Sequence, residues 1–236
     1  MSKIALLAST LLLTSSATAG ADILYQTSTI GSSARISDFG QTSQTGFRSF
    51  DDFTLLTNGS VETVRWSGFW IDLSAPIPTA APSPDVLSWD IAFFADNGGV
   101  PGAPLVTHSI AAGAVTSTFL GIGQFSVGNI YNVAYYDYAV TLPAAFTATA
   151  QTKYWFSVLS RSDIYEPAFA WSGGTGKDDF SFQQQLGPGM SVTSAGVRAR
   201  DRAFTLEGTV PVPEPASILL LATGAAALLH RRKRRA

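Results

Sequence analysis

The chain has 236 residues, a formal net charge of -2 and no cysteine, so disulfides, thiolate nucleophiles and sulfur-ligated metals are excluded together. Only two histidines occur, His108 and His230, which excludes a histidine-based metal cluster. Between residues 20 and 210 nine basic residues stand against sixteen acidic ones, a net of -7. That is the wrong sign for a phosphate backbone and argues against nucleic acid as a partner.

The first residues read as an export signal. Lys3 gives a short cationic start, Ile4 to Leu13 an apolar stretch, and Ala17-Thr18-Ala19 a small-residue cleavage site, so residues 1–19 are assigned to a signal peptide. Two cleavage registers remain, with Gly20 or Asp22 as the mature start.

From residue 20 to 210 the pattern has a period of two. Candidate strands run through Ile23–Gln26, Phe47–Leu55, Val61–Leu73, the alternation Leu87/Trp89/Ile91/Phe93, Gln124–Tyr138, Tyr154/Phe156/Val158, Phe180/Phe182 and Ala203–Gly208. Roughly nine to twelve strands are expected in all. Thr57-Asn58-Gly59-Ser60 and Asp96-Asn97-Gly98-Gly99 carry the residues that accept positive φ and mark tight turns. Pro76, Pro78, Pro82 and Pro84 make a longer connection unsuited to a sheet. No amphipathic helical run appears between the termini. The expectation is one all-β domain, an antiparallel β-sandwich of jelly-roll type, large enough to bury a core without disulfides.

Candidate chemistry is sparse. Ser172-Gly173-Gly174-Thr175-Gly176-Lys177-Asp178 suggests a phosphate loop, but Trp171 replaces its first glycine and Asp178 its magnesium-binding hydroxyl, which leaves a turn between strands. Asp51-Asp52 and Asp178-Asp179, if brought together, would offer oxygen ligands to calcium; otherwise adjacent carboxylates point to opposite faces of a strand. Otherwise no metal or cofactor is expected. Glu62, Glu166 and Glu207 carry no glycosidase motif, and His108 has no nucleophile elbow beside it, so no catalytic residues are assigned. Trp66, Trp70 and Trp171 lie near glycines and either fill the core or present a ring to a sugar. Arg198, Arg200 and Arg202 share one face if the chain is extended there. They then form either a stripe for an anionic polysaccharide or a network with Asp178 and Asp179.

The end of the chain is an ordered set of signals. Val212-Pro213-Glu214-Pro215 leads into the apolar run Ala216–Leu229, followed by the cationic stop Arg231, Arg232, Lys233, Arg234 and Arg235. The run makes about 21 Å of helix, short of the ~30 Å hydrocarbon core, a gap that snorkelling arginines and bilayer thinning can close. This tail, residues 211–236, resembles the PEP-CTERM sorting signal of Gram-negative bacteria, with Pro213, Glu214 and Pro215 as the tripeptide. The resemblance implies anchoring in the inner membrane through a transmembrane sorting helix, processing by an exosortase-type protease, and delivery to the cell surface or extracellular space in exopolysaccharide-producing cells. An uncleaved C-terminal anchor is the plainer alternative. Phe50-Asp51-Asp52-Phe53, Phe94 to Gly102 and Ala203 to Gly208 also resemble pieces of the β-sandwich ectodomains that precede such tails. A structural or adhesive protein linked to exopolysaccharide is therefore expected. A carbohydrate-binding module is the second reading and a secreted polysaccharide hydrolase the third.

Overall fold

The computed structural model describes residues 21–27, 33–72, 86–127 and 129–211. The expected signal peptide, the Pro76–Pro84 connection and the tail from residue 212 lie outside them. Within the described residues there are fourteen strands, two short 3-10 turns and no helix long and apolar enough to cross a membrane.

Two seven-stranded sheets form. The first is organised on β5 (Gly59–Ile71). On one side β5 pairs with β9 (Asn129–Ala148), which pairs in turn with the edge strand β8 (Thr116–Val127). On its other side β14 (Phe204–Thr209) covers the first half and β11 (Ala168–Ser172) the second. Outside these lie β1 (Asp22–Gln26), against β14, and β2 (Ala34–Ile36), against β11. The second sheet runs β13 (Val192–Ala199), β12 (Phe180–Leu186), β4 (Thr45–Thr54), β10 (Lys153–Ser162), β6 (Val86–Asp96), β7 (Pro101–Ala111). A short strand, β3 (Asp38–Gly40), is wedged between β4 and β10 at one end, and β3 with β10 is the parallel pair.

Alternation places large rings between the sheets. Val64, Trp66 and Trp70 of β5 meet Trp89, Ile91 and Phe93 of β6 and Phe156 and Val158 of β10 in one apolar core. Trp89 sits 5.2 Å from Trp66 and 4.8 Å edge-on to Phe169, and Phe93 stacks on Phe146 at 4.3 Å. Such offset and edge-to-face contacts add to the free energy of burial itself. The Asp96–Gly99 turn forms as expected: Gly98 and Gly99 take positive φ, and the Asp96 carboxylate accepts the Gly99 N–H.

The pattern fails in three places. Leu87, expected inside, is 54% exposed because the pairing of β6 with β10 shifts register there, from Ser88 opposite Arg161 to Val86 opposite Ser162, and Val86 packs against the core instead. The Gln124–Tyr138 stretch is not one strand; it divides between β8 and β9, which pair antiparallel with Phe125 opposite Tyr131. The outer face of the second sheet, the side that alternation usually leaves to polar residues, holds a second cluster of Phe50, Ala92, Phe94, Trp155 and Phe182. On the same face Asp90 is buried beside Arg161 (3.0 Å) and Arg48 (3.7 Å), so its charge is matched by two guanidinium groups.

Candidate functional site

The tryptophans singled out from the sequence are structural. Trp66, Trp70 and Trp171 have 0%, 1% and 0% of their surface exposed, so the expectation that they present rings to a sugar is corrected. Cross-sheet burial claims them. The indole of Trp70 donates to the Tyr138 hydroxyl (3.1 Å) and that of Trp171 to the Ala203 carbonyl (2.9 Å).

The arginine stripe does not form either. Arg198 lies on β13, half-buried, with Nε donating to Gln183 Oε1 at 3.2 Å. Arg200 sits in the following turn with φ of 76°, its N–H donated to the Asp179 carbonyl (2.7 Å). Arg202 is wholly buried. Its backbone N–H donates to Asp51 Oδ2 (2.6 Å), and its guanidinium donates to the Arg200 and Ala199 carbonyls (2.7 and 3.3 Å). The strand ends at Ala199, so the period of two that would align the three side chains is broken there. Asp179 contributes a carbonyl, not a carboxylate, to this corner.

Asp51, Asp52 and Asp178 are brought into one neighbourhood around Tyr25. Burial, then the charges of Asp51, Asp52, Asp201 and Asp178, pushes the Tyr25 hydroxyl above its ordinary range. Asp51 points inward between the sheets, where burial raises its pKa well above the ordinary carboxylate value. Asp52 is also raised by burial, and Lys153 bridges it at 2.8 Å. Among the described residues, however, no three His, Asp or Glu side chains stand together to hold a metal ion, so the calcium arrangement is not assembled. The glycine-rich turn is likewise committed: Gly173 and Gly174 give their N–H groups to the Ser33 and Asp201 carbonyls at 2.6 and 2.8 Å, leaving no anion cradle. His108 stands on β7 opposite Ile91, as a strand residue.

A groove that the sequence did not mark crosses the outer face of the first sheet. Two open depressions, of about 490 and 520 Å³, flank an ion pair between Arg65 and Glu207, which line both. Arg65 Nε donates to Glu207 Oε1 at 2.7 Å. Asp137, on β9, lines the first depression and accepts from Ser67 Oγ at 3.1 Å. Its pKa is raised, first by burial and more weakly by Glu207, against the lowering effects of Ser67 and Arg65. Gln26 and Thr205 add polar groups, Ile23 an exposed apolar one. The result is an open polar surface with donors and acceptors spaced along the sheet. The strand from Val61 to Leu73 was legible in the sequence, but not which of its residues face outward. The meeting of β5, β9 and β14, from which the groove is made, was not.

Fold and surface thus define an all-β domain of two packed sheets with an open polar groove. Behind it, residues 211–235 match the family profile of the PEP-CTERM protein-sorting motif, and the chain carries this motif directly after its last strand. The motif marks an exported protein with a sorting tail of the kind handled by exosortase. No curated protein and no solved structure matches the chain. Pro213, Glu214, Pro215 and the stop from Arg231 to Arg235 fall inside the matched segment, outside the described residues.

Proposed function

We propose that residues 20–210 serve, after export from a Gram-negative cell, as a structural or adhesive protein of the cell surface or extracellular matrix that meets exopolysaccharide. The observation that carries this reading is the adjacency of the two parts: β14 ends at Thr209 and the sorting motif begins at residue 211. A compact sandwich closed immediately before a membrane address is built for release or display. The tail is the substrate of an exosortase-type protease and holds the chain in the inner membrane until it is cut. The role is non-enzymatic and needs no cofactor.

The groove on the first sheet favours a second reading, a carbohydrate-binding module. Its two carboxylates also bear on hydrolysis, since Asp137 is a carboxyl held above its ordinary pKa. Glu207, however, is already engaged by Arg65 at 2.7 Å. The two depressions are open rather than a closed cleft, with their polar groups spread along the sheet. That arrangement supports holding a glycan over cutting it.

The test is the triple change of Pro213, Glu214 and Pro215 to alanine. Wild-type protein is expected to lose its tail and accumulate in the surface and matrix fractions, whereas the variant stays full-length in the inner membrane. If intact-mass measurement finds the variant still trimmed, the processing route is wrong. A trimmed wild type that partitions entirely into the medium and not the matrix removes the adhesive role.

A further inference from the structure

At the seam between the sheets, where β2 approaches β4 and β12, lies a cavity of about 170 Å³. Its wall is mainly apolar, from Ile36, Phe47, Ile71, Phe125 and Ala170, and its polar contributors are Arg35 and Gln183. This volume suits one ring, not a peptide or a bilayer surface.

The charges around it are unbalanced. Four of the nine basic residues between 20 and 210 make ion pairs with carboxylates: Arg48, Arg65, Lys153 and Arg161. A fifth, Arg202, feels the charge of Asp51. Arg35 and Arg198 are half-buried beside one another with no carboxylate partner among the described residues. Arg35 Nε is buried without a hydrogen-bond acceptor. Gln183 is fixed from both ends: its amide nitrogen donates to the Ile36 carbonyl (2.9 Å), and its oxygen accepts from Arg198 Nε (3.2 Å), which holds Arg198 against a residue of the cavity wall. Burial, and then the charge of Arg198, lower the pKa of Arg35. Two cations drawn partly out of water without an anion destabilise the empty site, and an anion placed between them removes that cost.

We propose that this cavity is a binding subsite for an acidic sugar, taking the carboxylate of a uronic acid unit between Arg35 and Arg198 and the ring against Phe125, Ile71 and Ala170. Guanidinium forks match a planar carboxylate, and the C–H face of a pyranose packs on apolar and aromatic surface. The rest of the domain, with seven basic residues against sixteen acidic ones, carries a net of -9 and repels an acidic polymer, so capture concentrates at this seam. The inference rests on the reading that the protein meets matrix polysaccharide, and names the chemistry of one contact.

The experiment titrates the full chain, in non-ionic detergent, with an oligogalacturonate, a neutral oligoglucan of equal length, and sodium sulfate, by calorimetry at low and high salt. The oligogalacturonate should bind, with affinity falling as salt rises. The neutral oligomer should not bind. Arg198→Gln and Arg35→Gln should each weaken binding about tenfold or more, the loss of a charge-assisted hydrogen bond. Arg198→Lys should keep part of the affinity, and Lys153→Gln, remote from the cavity, should match wild type. Thermal melting is read alongside; if Arg35→Gln fails to fold, Arg198→Gln and Arg35→Lys carry the test. Equal binding of both oligomers, competition by sulfate as effective as the uronate itself, or unchanged affinity in Arg198→Gln would overturn the proposal. Absent uronate binding by a protein that still accumulates in the matrix would sink the subsite and leave the adhesive reading standing.

Discussion

Replacing Asp38 by asparagine should flatten the dependence of stability on pH. Asp38 lies on β3 with none of its surface exposed. It accepts from Ser162 Oγ at 2.8 and 3.1 Å and from the Phe169 N–H at 3.0 Å. Burial outweighs these bonds and pushes its pKa from 3.8 up to about 7. Between those two values the folded state keeps a proton that the unfolded chain has released. Stability therefore falls as pH rises through that window, and the loss is complete above it. At about 1.4 kcal/mol per pH unit, the full displacement corresponds to an upper figure of about 4 kcal/mol. Asparagine cannot ionise, and its amide oxygen can still accept the Phe169 N–H. Urea unfolding of the full chain in detergent, at about pH 5 and about pH 8, should show wild type losing stability with rising pH and Asp38→Asn losing less. Near the higher pH the variant should be the more stable of the two. Asp51 is also raised by burial, so some slope will persist and the difference between the two proteins is the quantity to read. An equal loss in both would refute the assignment of a protonated carboxyl to Asp38.

Trp89→Ala should cost about 3–5 kcal/mol by chemical denaturation, since it empties the space between Trp66 and Phe169 that joins the sheets. Arg202→Ala, which removes a wholly buried guanidinium bonded to the Trp171, Ala199 and Arg200 carbonyls and leaves those acceptors unsatisfied, should destabilise by about 3 kcal/mol or more, whereas Arg198→Ala should stay within about 0.5 kcal/mol. Equal effects of the two would contradict their different placements. Gly208→Ala would set a Cβ 1.8 Å from the Ser60 carbonyl oxygen, where β14 pairs with β5, and should lower the melting temperature by several degrees. Edman sequencing of the secreted form should begin at Gly20 or Asp22; a Met1 start would remove the signal-peptide assignment.

Local signals were legible because their physics is local. The tail is recognised by the order of a tripeptide, an apolar run and a cationic stop, and the profile match at residues 211–235 rests on the same residues. Turns such as Asp96–Gly99 followed from residue chemistry, and the inward set Trp89, Ile91 and Phe93 from a period of two. Which residues meet across strands is a different matter. Arg65, Asp137 and Glu207 come from three strands distant in sequence, and only the pairing of β5 with β9 and β14 turns them into one groove. Arg198, Arg200 and Arg202 looked like one stripe because extension was assumed. A left-handed φ at Arg200 rotates the chain and sends Arg202 into the interior. Arg35 carried no signal at all; its meaning comes from Arg198, which folding brings beside it while the acidic residues pair elsewhere. By itself the sequence determined that the chain is addressed for export and folds as β-structure, since targeting segments and alternation are read along the chain. The tertiary structure alone decided which rings are core and which charges remain unpaired, because burial and electrostatic partnership depend on contacts between strands far apart in sequence.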